Sequence, residues 1–276
     1  MKRAIFIMSQ KGGSGKTTFS RALLDHLRYG LGLGVAAFDA DGQVGQLLQY
    51  YGARDGEGRL AAPQDPLTGV GVFDLRRREE RGTVVDALDL GAQTLLFDFP
   101  AGCLGDLTRV VGEGGISPVL DEYEREGYRT TVAVVVSNVQ TSADNVLAAM
   151  AVFRDRVDYV AVKNLFYGKP EDFLFFDGFT GADGRRYGGQ AREALARAGG
   201  RLVEMPALPG REYALCDMYC LGFSEAKAHP ALRRAERAAV GHFQREFGAA
   251  IAPAGPLLGC APSTPQSSIP LNWSQS

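Results

Sequence analysis

Gln10-Lys11-Gly12-Gly13-Ser14-Gly15-Lys16-Thr17-Thr18 is the stretch from which the rest of the chain can be read. It follows Ala4–Met8, an apolar run the length of one buried strand. It precedes Phe19, Leu23, Leu24 and Leu27, whose i, i+4, i+8 spacing belongs on one face of a helix. Strand, glycine-rich turn and helix form the context of a phosphate-binding loop. Without Cβ atoms, Gly12, Gly13 and Gly15 let backbone N–H groups of the loop, Ser14 included, curl around phosphate oxygens. The helix that follows turns its free N–H groups and positive dipole end toward the same anion. Lys16 is placed to reach the β- and γ-phosphates, Thr17 to ligate Mg²⁺, and Thr18 lies in the same first turn.

The stretch departs from G-x-x-x-x-G-K-[ST] in two ways. Gln10 replaces the first glycine, and a second lysine, Lys11, follows it. KGGxGK[ST] is the deviant Walker A pattern, and on it the chain resembles the ParA/MinD/nitrogenase-iron-protein superfamily. The resemblance implies a doubly wound α/β fold, with a mostly parallel sheet and helices on both faces. It further implies bound ATP and Mg²⁺, and an ATP-dependent homodimer in which Lys11 crosses to the partner's nucleotide.

Three further motifs stand at the ends of apolar runs. Val35–Phe38 leads into Asp39-Ala40-Asp41-Gly42-Gln43. Side chains two apart on a strand share a face, so both carboxylates can point into the crevice at the strand's carboxyl end. The segment resembles the family's D-x-D-P-Q box, with Gly42 in place of proline. By that resemblance Asp39 stands behind the Mg²⁺ and Asp41 orients or deprotonates the attacking water. The alternative for either is capping of the next helix. Thr94–Phe97 closes in Asp98-Phe99-Pro100-Ala101-Gly102, which suits a Walker B aspartate holding Mg²⁺ through water. It is similar to the family's D-x-P-A-G switch, whose glycine, here Gly102, approaches the γ-phosphate. Tyr159–Val162 ends at Lys163-Asn164. The resemblance gives Asn164 the adenine edge, with a loop-forming asparagine as the alternative. It also places Pro206, Ala207 and Leu208, after the run Arg201–Met205, along the adenine pocket.

Val70–Phe73 and Thr131–Val136 complete the candidate strands, and the β-branched character of the latter places it at the centre of the sheet. A helix is expected from a cap near Ser142. The charged run Arg76–Arg81 has mixed signs and helical spacing and reads as a solvated face, with a site for a phosphate or acidic partner as the alternative. Phe173, Phe175, Phe176 and Phe179 lie in a Gly/Asp-rich excursion, which reads as packing over the sheet. Ala231–Phe247 reads as a terminal helix with Leu232, Ala235, Ala239, Phe243 and Phe247 on its apolar face. Arg233, Arg234, Arg237 and Arg245 lie off that face, as a candidate DNA-phosphate contact or a solvated surface.

With 276 residues, 45% of them hydrophobic, the chain can bury a full core as one domain. That domain is expected over residues 1–251, and 252–276, rich in Pro and Ser, reads as a disordered tail. A net charge of −2 argues against a globally basic nucleic-acid binder. Cys103, Cys216, Cys220 and Cys260 show no disulfide framework, and no run is long enough to span a bilayer. The reading is cytoplasmic, and no basic amphipathic helix ends the chain to suggest a membrane. Cys216-x₃-Cys220 lacks the second pair or the histidines that a metal site needs.

Function follows as an ATPase acting as a dimerisation switch for a protein partner yet to be identified. Met205-Pro206-Ala207-Leu208, Phe223-Ser224-Glu225-Ala226 and Val162-Lys163-Asn164 resemble TraL- and MobD-type plasmid conjugal-transfer ATPases, which adds partition, mobilisation or conjugal transfer as the setting. The competing readings are a reductase of the nitrogenase-iron-protein type, for which Cys103 is the one candidate ligand, and a P-loop kinase or ligase acting on a small molecule.

Overall fold

The computed structural model describes residues 1–10, 12–42, 45–112 and 114–260. Each of the seven apolar runs forms a strand of one sheet. These are β1 (Lys2–Met8), β2 (Val35–Asp39), β3 (Gly71–Val72), β4 (Thr94–Asp98), β5 (Tyr128–Val136), β6 (Asp158–Asn164) and, after a short hairpin of β7 (Phe179–Thr180) and β8 (Arg186–Tyr187), β9 (Arg201–Met205). The order is β3-β2-β4-β1-β5-β6-β9, with every pairing parallel. The middle strand is β1, not the β-branched β5, which lies fifth. Both are buried on two faces, so composition reports burial and leaves strand order open.

The helices are α1 (Lys16–Asp25), α2 (Leu47–Tyr51), α3 (Thr83–Asp86), α4 (Leu104–Leu107), α5 (Ser117–Arg125), α6 (Gln140–Phe153), α7 (Leu174–Asp177), α8 (Gln190–Arg197), α9 (Gly210–Met218), α10 (Phe223–Ala226) and α11 (Arg234–Ile251). Alternation along β1 divides the core between them. Ala4, Phe6 and Met8 pack with α3 to α8, whereas Ile5 and Ile7 pack with α1, α2 and α9 to α11. Phe173 and Phe176 of the aromatic excursion belong to the first layer.

Local expectations shift at three points. Helix α6 starts at Gln140, before Ser142, whose Oγ accepts the Ser137 N–H at 2.8 Å. In α11 the buried stripe runs through Glu236, Val240, Phe243, Phe247 and Ile251, while Ala235 is exposed. Residues 252–260, expected in the tail, instead pack as part of the domain. Ala252–Leu257 form a 3₁₀ segment, Ala254 and Leu258 are fully buried, and Thr131 Oγ1 donates to the Leu257 carbonyl at 2.6 Å. Burial of Ala254 and Leu258 offsets the ordering entropy that their Pro-rich composition suggested would win. The remainder of the expected tail, 261–276, lies outside the described residues. Among the described residues no helix is long and apolar enough to cross a membrane.

Candidate functional site

The parallel register brings the motifs to one edge. Ile7 pairs with Asp98, and Asp98 in turn with Asp39, so the loop after β1 and both acidic strand ends meet. The loop enters α1 through Gly15, in the left-handed region at φ 91°. A Cβ there would lie 2.1 Å from Asn164 Nδ2, so glycine is required by conformation and by contact. Gly102 is also left-handed, at φ 74°, and its N–H reaches the Ser9 carbonyl at 3.2 Å, which sets the β4 turn against the loop. Lys11 lies outside the described residues.

A cavity of about 400 Å³ opens beside the loop. Gly13, Gly15, Lys16, Thr17 and Thr18 form one end, and Pro206, Ala207 and Leu208 the other. Asn164 lines it too, but its amide is engaged within the chain. Nδ2 donates to the Ser14 carbonyl at 3.0 Å and Oδ1 accepts the Phe166 N–H at 3.1 Å. Asn164 thus ties β6 to the loop while lining the cavity. Five wall residues lie outside every motif: Gln46, Phe166, Tyr167, Gly210 and Tyr213. Tyr167 donates its hydroxyl to the Gly13 carbonyl, and the Tyr213 hydroxyl lies 3.3 Å from Thr18 Oγ1. They come from 3₁₀ and helical connections whose packing is non-local, so spacing gave no signal.

Asp98 is buried, and its Oδ1 has no hydrogen-bond partner. Burial raises its pKa, against the opposing influence of the Lys16 ammonium and the Thr17 and Ser20 hydroxyls. An orphaned buried carboxylate oxygen beside a Thr hydroxyl and a phosphate loop fits a divalent cation. Among the described residues no group of three or more His, Cys, Asp or Glu could hold a metal. Mg²⁺ does not need one, since it keeps waters and takes one or two protein ligands besides phosphates.

Asp39 performs a capping task at long range. Its Oδ2 accepts the N–H groups of Leu47 at 2.8 Å and Leu48 at 3.3 Å, and its Oδ1 accepts that of Asp41 at 3.3 Å. A Cβ at Gly45 would lie 1.9 Å from Asp39 Oδ1, so the chain passes too close for any side chain. Burial, then the neighbouring Asp98, push its carboxyl up to about 7. An unfolded Asp titrates near 3.9. The folded chain therefore binds more protons between about pH 4 and 7, and this contribution to stability is lost as pH rises through that window. Urea midpoints should fall across it, and Asp39→Asn, which keeps an acceptor but cannot ionise, should flatten the fall. An unchanged slope in that variant would refute the assignment.

Asp41 is half-exposed, and its Oδ1 accepts from Arg76 Nη1 at 2.6 Å. Cys103 is 2% exposed, and burial pushes its thiol up to about 12. Cys216 is likewise buried, and its thiol is pushed up to about 11. Of the terminal arginines, Arg233 bonds Glu236 Oε1 at 2.7 Å in a capping arrangement, and Arg245 lines a separate cavity. Arg234 is exposed.

Loop, strand-end acids and cavity define a P-loop nucleotide-binding protein with a parallel α/β sheet. Residues 5–158 match the family model of the CobQ/CobB/MinD/ParA nucleotide binding domain, and the chain belongs to that family. Among solved structures, it is similar to a nucleotide-binding protein of Archaeoglobus fulgidus in complex with ADP, with 18% identity over 80% of this chain and 87% of that one and a TM-score of 0.43. The MinC:MinD cell division complex of Aquifex aeolicus matches at 14% identity over 90% and 96%, TM-score 0.47. An McdA–ATP complex of Cyanothece matches at 11% over 96% and 98%, TM-score 0.48. No curated protein matches the chain. The family membership rests on the family model alone.

Proposed function

We propose that the chain is a Mg²⁺-dependent ATPase of the ParA/MinD type, working in the cytoplasm as a switch that dimerises around ATP. The observation that carries this is the cavity running from the phosphate loop to Pro206–Leu208, together with the orphaned Asp98 Oδ1 buried behind that loop beside Lys16 and Thr17. Lys16 binds the β- and γ-phosphates, the Gly12–Thr18 backbone holds their oxygens, and Gly102 approaches the γ-phosphate. Thr17 and, through water, Asp98 would hold the Mg²⁺, backed by Asp39, and the ion would neutralise phosphate charge. Asp41 orients the attacking water, and Lys11 of the partner protomer offsets developing negative charge in trans. Catalysis of this kind is positioning plus electrostatics. Nucleotide state then controls affinity for a protein partner, and the coupling free energy is the useful output.

The short resemblances at 162–164, 205–208 and 223–226 support plasmid transfer, mobilisation or partition as the setting. Arg234 and Arg237 are the arginines offered for DNA contact, since Arg233 is paired with Glu236.

The trans role of Lys11 tests the switch. Lys11→Ala should bind ATP nearly as the parent does, hydrolyse it poorly and fail to dimerise with it. Mixed with Asp41→Ala protein, it should regain activity, because one site of a mixed dimer has both residues intact. Absence of recovery in demonstrated mixed dimers would overturn trans action.

A further inference from the structure

The run Arg76–Arg81 reads in the sequence as a solvated face, and the structure gives it different work. Beyond β2 and β3 the two chain segments stay joined: Phe73 N–H donates to Asp39 O at 3.1 Å, Gly42 N–H to Phe73 O at 3.1 Å, and Leu75 N–H to Ala40 O at 3.1 Å. Asp41 and Arg76 therefore project from neighbouring backbone, and Arg76 Nη1 donates to Asp41 Oδ1 at 2.6 Å. The backbone at Arg76 is itself held, since its main-chain N–H donates to Asp74 Oδ1 at 3.0 Å, and Nη1 lies 3.9 Å from the same oxygen. Five residues on, Arg81 Nε donates to the Leu75 carbonyl at 3.0 Å and Nη2 reaches Asp106 Oδ1 at 3.4 Å. Asp106 is on α4, directly after the Asp98–Gly102 turn. One segment thus touches both Asp41, after β2, and α4, which follows the β4 turn.

We propose that Arg76 is a positioning residue for Asp41. It fixes one carboxylate oxygen and leaves Oδ2 to accept from the attacking water, while Arg81 anchors the same segment to α4 through Asp106. This inference rests on the water-orienting role given to Asp41 above. Its physical basis is rotameric. A half-exposed aspartate samples several χ1 wells, and each non-productive one must be given up in the transition state. A charge-assisted bond from an arginine that sits between Asp41 and Asp74 reduces that freedom beforehand. Stability is a poor explanation for the pair, because side chains 48% and 36% exposed gain little from one ion pair.

The test is steady-state ATP turnover, with MgATP-dependent dimerisation by light scattering and a thermal melt, on Arg76→Ala, Arg76→Lys, Asp41→Ala and Arg76→Ala/Asp41→Ala. Arg76→Ala should lower kcat roughly tenfold to a hundredfold, as a small misplacement of a reacting group does, with KM and the dimer retained. Arg76→Lys should recover part of the loss, having the charge without the fixed fork. In the Asp41→Ala background, loss of Arg76 should cost nothing more, because its effect passes through Asp41. Wild-type kcat in Arg76→Ala, or a full additional loss in the double variant, would overturn the proposal. So would a lowered melting point that accounts for the lost rate. The two readings fail separately. If Asp41→Ala is slow while Arg76→Ala is not, only the positioning role falls; if Asp41→Ala turns over as wild type, the water-orienting role falls and takes this inference with it.

Discussion

Lys16→Ala is expected to bind ATP about 10- to 150-fold more weakly than the parent chain, with the fold unchanged. The lysine lines the phosphate end of the cavity and is the cation that most offsets the raised pKa of buried Asp98. A hydrogen bond to a charged group contributes about 1.5–3 kcal/mol, and each 1.4 kcal/mol is tenfold in affinity. Alanine removes that contact and leaves the Gly12–Thr18 backbone to hold the phosphates alone. Asp98 also loses its nearest compensating charge, so its proton should be held to still higher pH in the variant. Titration calorimetry with ATP at fixed Mg²⁺ measures the affinity, and circular dichroism confirms the fold. Unchanged affinity would remove the phosphate-loop assignment, and with it the basis for every role given to the cavity.

The loop and the strand ends were legible because they are local. Spacing of glycines and lysines within nine residues sets the loop's conformation, and the ends of β2, β4 and β6 are each announced by an apolar run that closes in Asp or Asn. Parallel register then does the assembling, since strands of similar length that start at one edge must bring Asp39 and Asp98 together at the other. What spacing could not show is where side chains find partners far along the chain. Asp39 reads equally well as a metal-site residue or a cap, and only the fold shows Leu47 and Leu48 supplying its donors. Arg76 and Asp41 are separated by 35 positions, so a charged run looks solvated until β3 is laid beside β2. Residues 252–260 misled for a related reason. Their composition resembles a linker, but Ala254 and Leu258 find an apolar layer already built by α11 and the sheet. Strand order fails similarly, because the β-branched run of β5 records burial on two faces, which β1 shares.

Asp41→Ala should separate binding from chemistry. The carboxylate has one oxygen on Arg76 and stands near enough to Asp98 to raise its pKa, which puts it at the phosphate end of the site without making it part of the loop. A group that orients water acts mainly in the transition state, so its removal should lower kcat while ground-state ATP binding stays largely intact. General-base or orienting groups of this kind contribute about 10²–10⁴ in rate. With hydrolysis slowed by that factor, the step that ends the ATP-bound state becomes rare, and the variant should accumulate as a dimer in MgATP but not in MgADP. Asp39→Ala should differ, because it strips the acceptor from Leu47 N–H and Leu48 N–H and so loosens α2 along with the site. Its loss should appear in both Mg²⁺-dependent affinity and rate. Size-exclusion chromatography with light scattering, run in each nucleotide, distinguishes the two variants. A monomeric Asp41→Ala in saturating MgATP, under conditions where the parent dimerises, would contradict the switch, and parental turnover in that variant would remove Asp41 from the chemistry.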